Sequence, residues 1–372
     1  MRLEKRLLRN LPLRDAYTEF MRDYLEQGHM EPASLDETSS ATPFYIPHHA
    51  VHRPGDLPTK LRVVFNASCA SSNGRSLNDL LHVGPKLQAD IATLLMHRMH
   101  RVVFTADIRQ MYRQILVTPE HRDYQRIIWR FSAQEPLQAF RLNTVTYGVS
   151  SAPYLALRTK QQLASDEGDQ CSLAKTTLLH EVYVDDILTG ASSEERAQEL
   201  RAQLQRLLMA GGFELRKWAS NCPALLQDLP ADHCRPTASE DPLCLDRDPI
   251  LKILGLGWNP ASDNFFYAVR LSETALTKRT ILSQMARIFD PLGWLTPVTF
   301  RAKIFFRDLC RLQVGWDQRL PPELVEPWHA FQQQIPELGR IRIPRMLPDP
   351  APPAQHYLVG FCDSSESGYA AV

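Results

Sequence analysis

The sequence predicts an α+β fold whose centre is a split β-α-β-β-α-β sheet. Three observations support this prediction: apolar strands that end on acids, helical periodicity between those strands, and a final strand that follows a glycine pair. The predicted elements are a buried strand at 101–107, a hairpin pair at 124–131 and 140–146, a helix at 150–164, two short strands at 178–189, a helix opening at Ser192 and a strand at 213–218. This order brings the end of the first strand beside the two short strands.

The part of the chain before this sheet combines a helical lead-in with short extended runs. Leu3, Leu7 and Leu11 recur at roughly helical spacing, so residues 1–40 begin as a charged helical segment. A stretch rich in Pro, Ser and Thr at 32–43 predicts a loop. The segments that follow are predicted as strands at FYIP and LRVVFNAS and a helix at 86–99.

The second helix of the sheet has clear start and stop signals. Ser192 followed by Glu195 is a capping-box pattern. Its apolar face then runs through Ala197, Leu200, Leu204, Leu207 and Leu208, and Gly211-Gly212 ends it as a left-handed cap would. Beyond the last strand, the prediction is a linker at 220–250, a strand at 251–258, mostly helical structure at 275–312 and Pro-rich segments at 321–327 and 344–353.

Composition limits the classes of protein that the chain can represent. The chain has 372 residues, which is long for one compact core and predicts two or three domains. It carries 42 basic and 42 acidic residues, so a nucleic-acid partner cannot be argued from net charge. The sequence contains no apolar stretch long enough to span a membrane, and its N-terminus does not resemble a signal peptide. We therefore expect an intracellular protein, in the cytoplasm or a virus-like particle there, with no membrane partner.

Three acids form the pattern with the clearest chemical meaning. Asp185 and Asp186 are adjacent between apolar strands, and Asp107 ends the strand that the topology places beside them. Paired carboxylates in a hairpin are also common as an ordinary polar turn. Three carboxylates in one place, however, repel each other unless a cation is present, and oxygen ligands suit magnesium. Two such ions can clamp the attacking and leaving oxygens of a nucleotidyl transfer.

Several ordered segments resemble polymerase motifs. ADIRQMYRQI is similar to motif A, TYGVSSAPYLA to motif B, YVDD to motif C, GGFELRKW to motif D and LGLGW to the primer grip. Flanking segments such as YIPHHAV, TKLRVVFNAS, SLNDLLHVGPKLQ, TKRTILSQMARIFDPLGWLTPV and FCDSSESGYAAV resemble the polyprotein of BEL/Pao-type LTR retrotransposons. The resemblance covers nearly the whole chain. It implies a reverse transcriptase with the fingers, palm and thumb of a right-hand polymerase, followed by the start of an RNase H domain.

The resemblance also implies roles for particular residues. Asp107, Asp185 and Asp186 would be catalytic metal ligands for two Mg²⁺ ions, with Mn²⁺ as a possible substitute. Lys217 would donate a proton to pyrophosphate, although a solvated surface lysine explains it equally well. The residues implied to bind the incoming nucleotide are Arg62 and Lys60 at the triphosphate, backbone N–H groups from Ile108 to Tyr112, Tyr112 as a steric gate, and Tyr147 and Gly148 in motif B. Retroviral enzymes often have Gln where this chain has Tyr147, so the chain departs from their pattern at the position of that side-chain hydrogen bond.

The implied partners are an RNA or DNA template with its primer, dNTPs and other parts of the retroelement polyprotein. Arg279, Arg287, Arg301, Lys303 and Arg307 lie at mostly helical spacing and could follow the template-primer backbone, or simply form a solvated helix face. The implied domains are a lead-in and loop at 1–43, fingers and palm at 44–219, a linker at 220–250, primer grip, thumb and connection at 251–345, and a truncated RNase H-like start at 354–372, with Asp363 as a carboxylate of an incomplete nuclease site.

Two alternatives to a polymerase remain open at this point. A Pao-type peptidase is one, but the chain has neither a D-[ST]-G triplet nor a G-x-S-x-G elbow. An inactive retroelement remnant that only binds nucleic acid is the other. The presence of all three polymerase acids argues against simple decay.

Overall fold

The computed structural model describes residues 2–33, 43–51, 61–90, 99–235, 252–253, 255–269, 271, 275–347 and 359–371. The described helices are α1 (Arg2–Leu8), α2 (Leu11–Glu26), α3 (Leu77–Leu80), α4 (Ala152–Glu167), α5 (Ser172–His180), α6 (Glu194–Ala210), α7 (Lys278–Met285), α8 (Thr296–Arg311) and α9 (Pro322–Gln334). The mixture of helices and sheets confirms the mixed α/β class. No helix in these ranges is long and apolar enough to cross a membrane.

The strands form several small sheets. They are β1 (Met30–Ala33), β2 (His48–Val51), β3 (Arg62–Phe65), β4 (Val102–Ile108), β5 (Arg126–Trp129), β6 (Gln138–Leu142), β7 (Val182–Tyr183), β8 (Asp186–Ala191), β9 (Leu215–Ser220), β10 (Lys252–Ile253), β11 (Leu256–Asn259), β12 (Asn264–Phe266), β13 (Arg342–Pro344), β14 (Cys362–Ser365) and β15 (Gly368–Ala371). The sheet orders are β1-β6-β5, β2-β3, β7-β8-β4-β9, β10-β11-β12-β13 and β14-β15.

The four-stranded sheet β7-β8-β4-β9 has the strand order that a split β-α-β-β-α-β arrangement requires, because β4 lies between β8 and β9. β8 approaches β4 closely: a Cβ atom on Gly190 would lie 2.3 Å from the carbonyl oxygen of Val102. On the β9 side, the Ser220 hydroxyl donates to the carbonyl oxygen of Val103 across 2.6 Å. The assignment of this sheet to a polymerase palm stays a prediction.

The chain divides into two compact units, and the first contains residues 1–89, 106–187 and 199–216. Its core packs α2 against the sheets β2-β3 and β1-β6-β5. Leu13, Tyr17, Met21 and Tyr24 form the buried face of α2 at helical spacing. The lead-in helix is therefore part of this core.

The second unit contains residues 90–105, 188–198 and 217–372. Its sheet β10-β11-β12-β13 is tied to neighbouring segments by the fully buried Arg345. The Arg345 guanidinium pairs with Asp263, at 2.7 Å between Nε and Oδ1, and donates to the carbonyl oxygen of His100 across 2.8 Å. A buried arginine is tolerated only with such partners, so this ion pair is a structural centre of the unit.

Several predicted boundaries are wrong, and each has a local physical reason. Pro32 and Ala33 belong to edge strand β1 because they pair with β6, and an edge strand tolerates proline. Residues 178–180 end helix α5, and residues 124–125 lie in a 3₁₀ segment. Residues 86–90 are not helical; the rest of that predicted helix, 91–98, lies outside the described residues, as do 34–42 of the predicted loop and 236–250 of the predicted linker.

The C-terminal tail is a two-stranded antiparallel hairpin of β14 and β15. Nearly all of its residues are exposed. It contacts α8 through Gly368, which lies against the Phe300 ring, and through the Arg307 guanidinium, which donates to the carbonyl oxygen of Ser367 across 3.0 Å. Asp363 lies within β14, and residues 354–358 lie outside the described part of the chain.

Candidate active site

Two of the three predicted acids lie in a tight hairpin. β7 and β8 pair with Tyr183 opposite Asp186, so Val184 and Asp185 form the connecting turn. Val184 has a φ of 55°, which is the left-handed region that a β-branched residue rarely adopts. Two-residue hairpin turns need positive φ values and usually take Gly, Asn or Asp for that reason. The turn is therefore strained directly beside Asp185.

The third acid comes from the end of the neighbouring strand. Asp107 is the next-to-last residue of β4. The backbone N–H of Ile108 donates to the carbonyl oxygen of Asp185 across 2.8 Å. Asp107, Asp185 and Asp186 are each half-buried. The backbone thus brings the end of β4 and the hairpin turn together, as the sequence predicts.

These acids fit a divalent cation by their chemistry. Carboxylate oxygens are the ligands that Mg²⁺ prefers. In the ranges that the structure describes, however, no group of three or more His, Cys, Asp or Glu side chains is arranged to hold a metal ion. The expected three-carboxylate coordination is therefore not assembled in this structure.

Tyr112, the predicted steric gate, lies close to the same turn. It belongs to the 3₁₀ segment Met111–Gln114, which begins after Gln110 in the left-handed region, with a φ of 49°. Burial and then the nearby Asp185 carboxylate raise the pKa of Tyr112, so its phenol stays protonated at neutral pH. The structure thus places Tyr112 near the acids, and its role at the sugar stays a prediction.

The predicted triphosphate contact through the Ile108 N–H does not fit this structure, because that N–H already donates to Asp185. The N–H of Arg109 is also bonded, to the carbonyl oxygen of Glu214 across 2.9 Å. The Arg109 guanidinium reaches the same residue, at 2.9 Å between Nη1 and Oε2. Only the N–H groups of residues 110–112 are left as predicted triphosphate ligands.

Arg62 and Tyr147 lie close together. Arg62 is exposed at the start of β3. The Tyr147 hydroxyl donates to the carbonyl oxygen of Val63 across 2.6 Å. Burial raises the pKa of Tyr147, and the nearby Arg113 and Arg62 guanidinium groups oppose that rise. The hydroxyl proton of Tyr147 is committed to the fold, so it does not replace the donor groups of a glutamine side chain.

Gly148 occupies a position that no other residue fits. Its φ is +98°, and an added Cβ atom would lie 2.4 Å from the carbonyl oxygen of Phe65. Asn78, which sequence reasoning missed, holds the same loop: its Nδ2 donates to the carbonyl oxygen of Gly148 across 3.0 Å, and its Oδ1 accepts from the N–H of Ser150 across 2.8 Å. Asn78 thus fixes the motif B loop to α3, and Gly148 lets the same loop approach Phe65 at the end of β3.

The structure gives little support to the roles predicted for the two lysines. Lys217 is exposed on β9 and has a φ of 56°. Its role in proton transfer stays a prediction. Lys60 lies outside the described residues. Of the predicted basic track, Arg279 already pairs with Asp317, at 2.7 Å between Nε and Oδ1.

A further residue, Lys160, was missed by the motif comparison. It lies on the buried face of α4, where the neighbouring buried positions Ala152, Ala156 and Ala164 are small and apolar. Its ammonium donates to the carbonyl oxygen of Val184 across 2.6 Å. The available signal was a lysine at helical spacing on an otherwise apolar stripe.

Two family models match consecutive parts of the chain. Residues 54–218 match the family described as reverse transcriptase (RNA-dependent DNA polymerase). Residues 277–372 match the Pao retrotransposon-like RNaseH-like domain. A comparison with curated proteins found no match. The second match begins well before residue 354, so it also includes most of the segment predicted as thumb and connection.

The two matches also bear on the general activity. The first spans every predicted site residue, including the three acids, and indicates a polymerase of the reverse transcriptase class. Such enzymes generally use divalent metal ions and copy nucleic-acid templates. The RNaseH-like description of the second match favours a nuclease-type relationship over a peptidase. A reverse transcriptase segment followed by a Pao-type RNaseH-like segment matches the resemblance to BEL/Pao-type retrotransposon polyproteins.

Proposed function

We propose that the protein is the RNA-directed DNA polymerase of an LTR retrotransposon. It extends the 3′-hydroxyl of a primer with dNTPs, on an RNA or DNA template. The observation that supports this most directly is the hydrogen bond from Ile108 to Asp185, which joins the Asp107 strand to the Asp185-Asp186 hairpin. That bond lies within the segment that matches reverse transcriptases.

In this proposal Asp107, Asp185 and Asp186 would hold two Mg²⁺ ions, or Mn²⁺ in their place. The bound ions would lower the charge of the reacting phosphate and favour loss of the primer hydroxyl proton. The primer oxygen forms a new bond to the α-phosphorus, while the bond from that phosphorus to pyrophosphate breaks. The leaving pyrophosphate takes up a proton, for which Lys217 is the candidate donor.

The other residues would bind and orient the nucleotide. The Arg62 guanidinium, exposed on β3, binds triphosphate oxygens through its planar fork of N–H groups. Tyr112 packs beside the sugar and leaves no room for a 2′-hydroxyl. Gly148 allows the motif B loop to approach β3, and Tyr147 supports that loop through its bond to Val63. Lys60 would assist Arg62.

A primer-extension assay tests this function. A labelled DNA primer is annealed to an RNA template or to a DNA template of the same sequence, with dNTPs and Mg²⁺. We expect extension on both templates and none after the metal is chelated. Template binding in a gel-shift assay without extension on either template would contradict the proposal and would identify a nucleic-acid-binding remnant.

A further inference from the structure

Lys160 has a position that is unusual for a lysine. Its side chain is 2% exposed, on the face of α4 that packs into the unit core. Lysines are almost never fully buried unless their ammonium has a partner. Here the partner is the carbonyl oxygen of Val184, 2.6 Å away, in the turn that carries Asp185. Burial of a charged or polar head group needs such a bond to be tolerated.

Gln88 binds other backbone groups of the same turn, which Lys160 does not contact. Its side-chain Oε1 accepts from the N–H of Val184 across 2.9 Å. Its Nε2 donates to the carbonyl oxygen of Val182 across 3.2 Å. Val184 therefore has both its N–H and its carbonyl oxygen bonded to side chains, one from a loop segment and one from a helix.

The turn needs such support because its backbone is unfavourable. A valine at a φ of 55° persists only where the surrounding structure holds it there. The next two residues, Asp185 and Asp186, are neighbouring acids that repel each other. Left to itself, this two-residue loop would relax toward a conformation with negative φ at Val184. Such a change would turn the Asp185 carboxylate away from its place beside β4.

We propose that Lys160 and Gln88 are positioning residues that together clamp Val184 and so hold Asp185 and Asp186 in the orientation that catalysis requires. This inference rests on the proposed polymerase function of the acids. Its support is the pair of hydrogen bonds that hold the backbone of Val184.

The protonation state of Lys160 does not alter this clamp. Burial lowers the pKa of Lys160 to about 7, while the nearby Asp185 carboxylate opposes that shift. An ammonium and a neutral amine can both donate a hydrogen bond to a carbonyl oxygen. The bond to Val184 therefore exists on either side of that pKa.

The test compares four variants with the wild-type chain. Lys160→Met keeps the length of the side chain but removes the donor. Gln88→Met removes the two bonds from the half-buried Gln88 to Val182 and Val184 and disturbs the core less, so it tests the clamp even where Lys160→Met does not fold. The double variant measures their coupling. Lys175→Met, on α5, is the matched control, because its ammonium pairs with the exposed Asp169 in the 3₁₀ turn before that helix, at 2.8 Å.

Two readouts separate the clamp from the polymerase function. Hydrogen exchange of a peptide that covers residues 182–187 reports on the turn without any activity. We expect faster exchange there in both single variants and wild-type exchange in Lys175→Met. Unchanged exchange in a folded Lys160→Met or Gln88→Met variant would overturn the clamp. An absence of primer extension by the wild-type chain would instead overturn the proposed function.

The kinetic readout tests positioning directly. In primer extension, we expect kcat to fall about 10- to 100-fold in each single variant, because small displacements of catalytic groups cost rates of that order. We expect the KM for dNTP to change less than kcat, the half-saturating Mg²⁺ concentration to rise, and template affinity to remain unchanged. The double variant should lose less than the product of the single losses, since both act on one turn. Fully multiplicative losses, or losses that follow only the unfolded fraction, would overturn the proposal.

Discussion

The N–H of Ile108 donates to the carbonyl oxygen of Asp185 across 2.8 Å, and this bond joins two strands whose acids lie far apart in the sequence. It fixes the backbone on both sides of the candidate site. The carboxylates themselves are not gathered around a common point in the described structure. The fold thus fixes the backbone positions of the acids. The proposed metal ions would bring their carboxylates together.

Substitution of Gly148 should damage both stability and nucleotide binding. Gly148→Ala places a Cβ atom 2.4 Å from the Phe65 carbonyl oxygen at a φ of +98°. Strain and overpacking together should cost about 2–4 kcal/mol in the free energy of unfolding. Gly74→Ala is the control, because Gly74 has a φ of +80° but no neighbour within 4 Å. Equal losses in urea unfolding for the two variants would show that the close approach to β3 does not matter.

Tyr112 should control the choice between deoxyribose and ribose. Tyr112→Val removes the ring near Asp185 and should raise ribonucleotide incorporation at least about tenfold, the effect of roughly 1.4 kcal/mol of lost discrimination. Tyr112→Phe keeps the ring and should discriminate like the wild type. The measurement is a competition between a dNTP and the matching NTP in single-nucleotide extension. Wild-type discrimination by Tyr112→Val would refute the gate.

His48 should make the first unit sensitive to acid. Its Nε2 donates to the carbonyl oxygen of Ile128 and its Nδ1 accepts from the Tyr17 hydroxyl, so the neutral ring is the bonded form. Burial lowers the pKa of His48 below the ordinary 6.5. The unfolded chain therefore takes up a proton first as pH falls, and stability present above pH 6.5 is lost below it.

The measurement is the free energy of unfolding between pH 7 and pH 5. We expect a decline with acidification of at most about 1.4 kcal/mol per pH unit from this histidine. His48→Gln cannot titrate and should decline less steeply, although it starts from a lower stability. Parallel slopes for the two proteins would show that His48 does not cause the loss.

The C-terminal tail should be dispensable for polymerisation. Residues 359–371 form an exposed hairpin that touches α8 only through Phe300 and Arg307 in the contacts described above. Deletion of residues 354–372 should leave primer extension within about twofold of the full chain, because surface elements of this kind carry little stability. A much larger loss of primer extension in a deletion variant that still folds would contradict this account of the tail.

The order of elements in the four-stranded sheet was predictable because it rests on strong local signals. Strand β4 is an apolar run, and α6 has the predicted buried apolar face and terminal glycines. Its cap differs from the prediction by one residue, because the Ser193 Oγ, and not Ser192, accepts from the N–H of Arg196 across 3.3 Å. The strand β1 was not predictable in the same way. Its pairing with β6 is a long-range contact, and its proline argues against a strand when the segment is considered alone. Short helices and 3₁₀ segments were missed for the same reason: neighbouring packing decides them.

In the candidate site too, some residues were predictable from the sequence and others were not. The acids and Tyr112 follow from motif spacing, since their residue types are unusual in apolar surroundings. Lys160, Gln88 and Asn78 were missed because each acts through hydrogen bonds to backbone atoms. Every residue type has those atoms, so the sequence does not show which residue is the partner. The predicted use of the Ile108 N–H failed for the complementary reason, because only a structure shows that the group is already bonded.

The central claim, that the three acids catalyse nucleotidyl transfer, is tested most directly by the rate of single-nucleotide addition to a primer. The comparison is between the wild-type chain, Asp107→Asn, Asp185→Asn and the control Asp169→Asn, whose side chain is 87% exposed. We predict that both site variants fold normally, bind the template-primer and lose at least about a thousandfold in rate, since removal of a metal ligand costs several kcal/mol of transition-state stabilisation. The control should keep the wild-type rate. Wild-type addition by folded Asp107→Asn or Asp185→Asn would contradict the account.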